Sequence, residues 1–492
     1  MSRIVILTNT YPYSGETFLE NELKYIPNPN MAVICPIQIA GFHHVDSEKH
    51  KITVFHCMKK IILTDWIVSV GKGIYNIFKQ NELKEIKKDR FMIKNFIKAI
   101  KFAIKSETAI CAITRWIPVW NVDNESIVFY SYWFYEAAYI AARLHEIFPN
   151  SIFISRCHGY DLYKERHIGG YLPFRQYLLY SASAVYPISQ QGVNYLLNNY
   201  GFQWENKIKV YRLGTERLFK PILRKEPDHI FTIVSCSNLV KVKRVHLLVK
   251  ALMMTDLPLR WYHIGDGPMK ESLLLLANEL PKTIRWKFLG AIPNREVQKF
   301  YAEHYVDAFI NVSESEGIPV SIMEALSYGI PAIATDVGGV SEIIEDGKNG
   351  FLLKKNFTSE ELISALSVFG NLTKENSMMR INAATMWNEK YNTIINHVAA
   401  PTKIAEYLTN GIKILYSGDI GIIDDLKEYN NNELMINMDT DEHWLEHLVN
   451  GKKEKHIDQR IAQYFDMDRR QDDTYKMLIQ SFFNKKHMLN KH

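Results

Sequence analysis

The chain has 492 residues, 47% of them hydrophobic and 12% aromatic, with a formal net charge of +5. That suits two globular domains with an addition, and so slight a charge gives no argument for nucleic-acid binding. The five cysteines (35, 57, 111, 157 and 236) are scattered without a C-x-x-C pair, which points away from a disulfide framework or a zinc site and toward a reducing cytosol.

Met1-Ser-Arg-Ile-Val enters a strand, Ile4–Leu7, with no signal-peptide pattern. The next loop ends Gly15-Glu16-Thr17. In an open α/β sheet, ligands bind at the carboxyl ends of strands, so this loop is either a wall of a cleft or a plain turn. No apolar run is long enough to cross a bilayer, since Asp65 breaks Ile61–Val70. The chain is therefore expected to be soluble and cytoplasmic, or held at a membrane surface. Residues 75–105 interleave lysines with Phe91, Ile93, Phe96, Ile97 and Ile100. Such a stretch either rests on an anionic membrane or is a solvated helix over a core. Phe129–Tyr139 gathers aromatics that either wall an acceptor site or pack a core. A strand over 151–156 runs into Cys157-His158-Gly159-Tyr160-Asp161, with His158 at its carboxyl end. The strand Val185–Ser189 and its helix complete a first α/β domain over 1–213, and a linker falls near 214–228.

A second domain, 214–395, opens with the strand Ile230–Cys236 and the loop Ser237-Asn238-Leu239-Val240-Lys241-Val242-Lys243-Arg244. The strand Arg260–Ile264 leads to Gly265-Asp266-Gly267-Pro268. Then come Phe309-Ile-Asn-Val-Ser-Glu-Ser-Glu316-Gly317-Ile318-Pro319-Val320-Ser321-Ile-Met-Glu324 and, after a helix, Gly329, Pro331 and Gly338-Gly339. This reads as strand, loop, helix and strand of a parallel sheet. Gly317 lets a ligand approach the backbone. The amides of Ile318, Val320 and Ser321 sit at a helix start, where an anion such as a phosphate is favoured. Glu316 and Glu324 flank that position; as acceptor-only groups they suit sugar hydroxyls better than phosphates.

The stretch SESEGIPVSIMEALSYGIPAIATDVGG resembles the signature of the GT4-type retaining glycosyltransferases (glycosyl transferases group 1), whose fold is GT-B, two Rossmann-like α/β domains facing across a cleft. The resemblance covers about residues 1–391. It implies a nucleotide-sugar site in which Glu316 orients the sugar and Glu324 meets the ribose. His158, in an HGYD similar to the family's first-domain motif, would reach the sugar from the opposite domain, with Asp161 beside it. The loop with Gly15, Glu16 and Thr17 resembles the family's first loop near donor or acceptor. Gly265 and Gly267 match the loop by the nucleotide. Lys243 matches the family lysine that clamps the diphosphate, but Asn238 stands where the family has arginine. Asparagine offers no charged, forked donor; Lys241 or Arg244 is the candidate substitute.

Residues 396–492 exceed the usual family length. PTKIAEYLTNGIKIL (401–415) repeats PVSIMEALSYGIPAI (319–333) at an offset of 82, with Val398 opposite Glu316. This extension resembles the end of a second such domain, without room for its own cleft. The expected activity is retaining transfer of a hexose-type sugar to a hydroxyl acceptor, the resemblance implying capsule, exopolysaccharide or lipopolysaccharide assembly on a lipid carrier. No acidic pair is placed to hold a metal at the phosphates, so no metal or other cofactor is expected. The alternatives are a non-catalytic nucleotide-sugar-binding homologue and a GT-B sugar-nucleotide epimerase.

Overall fold

A computed structural model describes residues 3–11, 19, 22–23, 26, 32–38, 52–87, 91–117, 127–167, 169–221, 230–371 and 375–392, together with 414–416 and 435–437. Residues 1–409 form one compact unit and 410–492 another.

The first unit holds two sheets of six parallel strands. One runs β3-β2-β1-β4-β5-β6, from β1 (Arg3–Thr8), β2 (Ala32–Pro36), β3 (Thr53–Val54), β4 (Ile127–Ser131), β5 (Ile152–Cys157) and β6 (Ala184–Pro187). The other runs β12-β11-β10-β7-β8-β9, from β7 (Thr232–Cys236), β8 (Leu259–Ile264), β9 (Ile284–Gly290), β10 (Ala308–Asn311), β11 (Ala332–Thr335) and β12 (Gly350–Leu353). Parallel strands covered on both faces bury every residue, and β2, β4, β10 and β11 are buried along their whole length. The strand order reverses between β1 and β4 and again between β7 and β10. At such a switch point neighbouring loops diverge and leave a crevice at the carboxyl ends.

After β6 and its helix the chain forms a 3-10 turn, Phe202–Lys207, and an extended segment whose Lys209 and Tyr211 amides donate to Val185 and Pro187 of β6. Of the aromatics in 129–139, Phe129, Tyr130, Tyr132, Phe134 and Tyr139 are fully buried, so most of the cluster is core.

The stretch 75–105 spans the end of one helix, Leu63–Lys79, a short helix, Glu82–Lys87, and the first half of another, Met92–Trp116. In the second unit, β13 (Ile414–Tyr416) and β14 (Met435–Asn437) pair in parallel. At the repeat offset of 82, β13 falls on Ala332–Ala334 of β11. Residues 401–413, which hold most of the repeat, lie outside the described residues, as does Val398.

Candidate active site at the switch point

The loops leaving β7 and β10 at the switch point carry the candidate groups. After β7 the chain turns through Ser237–Val240 into a 3-10 turn, Lys241–Lys243. After β10 it passes Val312–Gly317 and enters the helix Val320–Ser327, with Pro319 as its N-cap. The Glu314 amide donates to the Val242 carbonyl at 2.7 Å and ties the two loops together. Lys243 Nζ donates to Glu316 Oε1 at 2.6 Å, and Asn311 Nδ2 donates to the same oxygen at 3.3 Å. Burial pushes the Glu316 carboxyl up. The Lys243 charge and hydrogen bonds from Lys243, Ser313 and Asn311 outweigh it, and the group stays below the ordinary carboxyl value.

The first amides of the helix, at Val320 and Ser321, have no intrahelical partner, and the helix dipole adds to their pull on an anion. Glu324, buried on the same helix, is pushed up by burial to about 7. Asn294 Nδ2 donates to its Oε1 at 2.6 Å. Gln298 Nε2 donates in turn to Asn294 Oδ1 at 3.1 Å, and the side-chain Oε1 of Gln298 accepts from the Leu218 amide of the linker at 3.0 Å.

Gly338 and Gly339 hold the Glu316 loop from behind. Gly338 has φ +61°, and a Cβ there would stand 1.9 Å from the Glu316 carbonyl oxygen. The Gly339 amide donates to the Gly317 carbonyl at 2.6 Å. Gly265 and Gly267 have a similar task toward β7. Side chains there would strike the Ser237 carbonyl at 2.0 Å and Leu239 at 2.7 Å, so both glycines pack against the loop that presents Asn238. Asn238 is exposed, with no side-chain hydrogen bond among the described residues.

The first α/β domain meets this loop directly. His158 follows β5 and caps the short helix Gly159–Leu162. A Cβ on Gly159 would lie 3.3 Å from the Gly317 amide, so the HGYD turn and the Glu316 turn touch backbone to backbone. His158 is buried against the rings of Trp133 (4.6 Å) and Tyr132 (5.2 Å). Burial, reinforced by the Arg156 charge, holds its imidazole well below its ordinary value, so it is neutral. Nearby, the Gln190 and Gln191 amides at a helix start both donate at 2.9 Å to the Glu342 carboxylate from the second domain.

Two expected residues, Asp161 and Arg244, do other work. Asp161 is fully buried, and its carboxylate accepts the His158 and Phe134 amides; it fastens the turn instead of lining the cleft. Arg244 is not a spare phosphate cation. Its guanidinium donates to the carbonyls of Val312 (2.8 Å), Ser313 (3.1 Å) and Lys355 (2.8 Å), clamping the end of β10. Lys243 is bonded to Glu316 itself. Gly15, Glu16 and Thr17 lie outside the described residues.

Sequence reading missed Arg166. It reaches from the first domain to Ser315 Oγ, with Nη2 at 2.6 Å and Nε at 3.1 Å, and no carboxylate pairs with it among the described residues. It also missed the Asn294–Gln298 relay behind Glu324. No helix among the described residues is long and apolar enough to cross a membrane.

Residues 216–386 match the family model described as glycosyl transferases group 1. The putative colanic acid biosynthesis glycosyltransferase WcaL of Escherichia coli K12 is 29% identical over 223 residues, 44% of this chain and 54% of that protein. Its Salmonella typhimurium counterpart is 27% identical over 261 residues, 51% of this chain and 62% of that protein. The chain thus spans between half and two thirds of these relatives. Among solved structures, Anabaena Alr3699/HepE in complex with UDP superposes with a TM-score of 0.58 at 18% identity, over 83% of this chain and all of that one. Sucrose-phosphate synthase from Thermosynechococcus elongatus gives 0.60 at 13% identity, again over 83% of this chain and all of that one. Two six-stranded parallel sheets, switch-point loops and the family match converge: residues 216–386 are a glycosyl transferases group 1 domain, set in a chain with the two-domain GT-B fold.

Proposed function

We propose that the chain is a retaining glycosyltransferase that moves a sugar from a nucleotide-diphosphate sugar to a hydroxyl acceptor in bacterial surface-polysaccharide assembly. The observation that carries this reading is the Lys243–Glu316 pair at the start of the helix Val320–Ser327, with Glu324 buried farther along it. In the reaction the bond from the anomeric carbon to the diphosphate oxygen breaks. A bond to the acceptor oxygen forms on the same face, and the acceptor proton leaves with the diphosphate. Lys243 and the amides of Ile318, Val320 and Ser321 would hold the charge developing on the leaving group. Glu316 would orient sugar hydroxyls, Glu324 would accept from the ribose, and neutral His158 would contact the sugar from the facing domain. These groups offset the charge without a metal, and no metal or other cofactor is assigned.

The Anabaena neighbour is described with UDP and with UDP-glucose, which favours UDP as the nucleotide here. The likeness to WcaL favours an acceptor of the exopolysaccharide kind. We assign a lipid-linked acceptor and a peripheral position at the inner face of the cytoplasmic membrane, with the exposed lysines of 75–105 toward it. Asn238 favours one second reading, a homologue that binds nucleotide sugar without turnover. Nucleotide release from UDP-, GDP- and ADP-sugars, with and without a lipid-linked acceptor extract, separates the transferase, the non-catalytic homologue and an epimerase. Acceptor-dependent release that disappears in Glu316→Ala supports the transferase. Binding with no release under any condition supports the non-catalytic homologue, and acceptor-independent release supports an epimerase.

A further inference from the structure

The helix Leu63–Lys79 is packed inside out. Its inward stripe is Asp65, Ser69, Gly73 and Asn76, at the i, i+4, i+8, i+11 spacing of one helical face; all four are buried, and Ile77 is the one apolar side chain buried with them. Each meets the helix Met92–Trp116. Asp65 accepts a forked pair from Arg115, with Nη2 to Oδ2 at 2.8 Å. Ser69 Oγ lies 3.9 Å from Cys111 Sγ, and Asn76 Nδ2 donates to buried Glu107 at 2.8 Å. A Cβ on Gly73 would stand 3.1 Å from the Ile104 backbone nitrogen, so the two helices approach as closely as a small residue permits. Small residues four apart with polar side chains bonded across the pair are how helices associate where the surroundings are apolar.

The outward side is correspondingly apolar. Leu63, Trp66, Ile67, Ile74, Tyr75 and Phe78 are between 43% (Ile74) and 75% (Leu63) exposed. Ile93 and Ile97, at the start of the helix Met92–Trp116, are exposed as well. A helix that covers a core in water presents the reverse arrangement, and isolated exposed hydrophobics would not fall on one face. The exposed charges around this face are mostly lysines; Glu85 is half-buried, and the part-exposed Glu146 is paired with Lys79. Lys59, Lys60, Lys72, Lys84 and Lys94 are exposed, whereas Asp65, Glu82 and Glu107 are buried on partners.

We infer that Leu63–Lys79 is an in-plane membrane anchor. Its apolar face enters the headgroup boundary of an anionic bilayer, and the lysines on and around it meet lipid phosphates. The occupant is lipid because the face is apolar at its centre and cationic at its rim. A second copy of the same face would bring lysines against lysines. The inference rests on the peripheral position proposed above and deepens it by naming the helix Leu63–Lys79, whose last turn overlaps 75–105, as the apolar contact. It is independent of the donor chemistry.

Flotation of the full-length chain with phosphatidylcholine vesicles, and with vesicles that also contain phosphatidylglycerol, tests it. The expected result is binding to the anionic vesicles at least about tenfold above the neutral ones, weakened by salt. The Trp66→Asp/Ile67→Asp variant, changed only at exposed positions, keeps the wild-type melting temperature and stays in the aqueous fraction. A wild-type chain that floats with neither vesicle overturns the inference, whether it sediments as a monomer or as a dimer that the double variant splits. Equal flotation of wild type and variant overturns it too, by placing the membrane contact elsewhere. Flotation reads no sugar transfer, so a failure here leaves the nucleotide-release assay to judge the enzyme reading.

Discussion

Lys243 donates to Glu316 across 2.6 Å, so the cation assigned to a phosphate and the carboxylate assigned to a sugar hydroxyl are bonded to each other. Both are largely sheltered, with side-chain exposures of 24% and 10%. Breaking such a pair leaves a buried carboxylate whose desolvation is no longer offset. Lys243→Met is expected to cost about 1–3 kcal/mol of stability, and the double change Lys243→Met/Glu316→Gln to recover part of it. Because the folded Glu316 pKa lies below its ordinary 4.5, this stabilisation is present above that value and is lost as pH falls through the folded value. The melting-temperature gap between wild type and Lys243→Met should therefore narrow below pH 4.5. Turnover of Lys243→Met should fall by about 10²–10³, the cost of removing one donor to a developing oxyanion.

Glu324 titrates in the opposite sense. Burial raises it from 4.5 to about 7, so between those values the folded chain holds a proton that the unfolded chain has released. Stability from this group falls as pH rises through that window and is lowest above it. Glu324→Gln removes the dependence while keeping an oxygen for Asn294. Thermal unfolding from pH 5 to 8 should show the variant gaining on wild type with rising pH, by up to about 3 kcal/mol at 1.36 kcal/mol per pKa unit. Parallel curves for the two proteins would show that Glu324 is ionised throughout.

How much of this was legible follows from sequence distance. The strand, loop and helix around Glu316 could be read because every signal lay within one segment: apolar run, glycine, proline at the helix entry. The Lys243–Glu316 bond joins loops whose adjacency depends on β7 lying beside β10, and only the sheet order supplies that. Arg166 and Ser315 are further apart still, in separate domains. Asp161 had a local signal that could have been used. A carboxylate three residues after a helix N-cap is the spacing of a capping box, and its Oδ1 does accept the His158 amide. The helix Leu63–Lys79 shows the limit of periodicity: its amphipathic pattern marks two faces, but which one turns inward is settled by Arg115 and Glu107 on another element.

Gly338 tests whether the turn behind Glu316 sets its position. A methyl group there would meet the Glu316 carbonyl at 1.9 Å, and the backbone is already in the left-handed region. Gly338→Ala should cost about 1–3 kcal/mol in strain and displace the loop. Because sub-ångström placement governs catalysis, kcat should fall by about 10²-fold while the melting curve stays cooperative. Gly347→Ala is the control: its φ is also positive, at +73°, and a Cβ there meets nothing within 4 Å. It should lower stability through the backbone alone and leave kcat unchanged. Equal kcat losses in the two variants would mean that strain, and not the contact with Glu316, governs the site.

Asn238 decides between a weakened donor site and a complete one. It is exposed at the end of β7 without a side-chain partner among the described residues, so Asn238→Arg should fold with a stability change within about 0.5 kcal/mol. A charge-assisted, forked bond to a phosphate is worth about 1.5–3 kcal/mol, which is about tenfold or more in affinity. If the phosphates pass this position, UDP binding measured by calorimetry should tighten by that factor and become more sensitive to salt. Arg166 supplies the complementary experiment, because it brings a guanidinium to Ser315 from the facing domain. Arg166→Ala should weaken UDP-sugar binding, and Asn238→Arg should restore it if the two cations serve the same phosphates. Rescue would assign Arg166 the charge that the second domain lacks at Asn238. Weakening in Arg166→Ala that Asn238→Arg fails to repair would instead place Arg166 on the sugar or on domain closure.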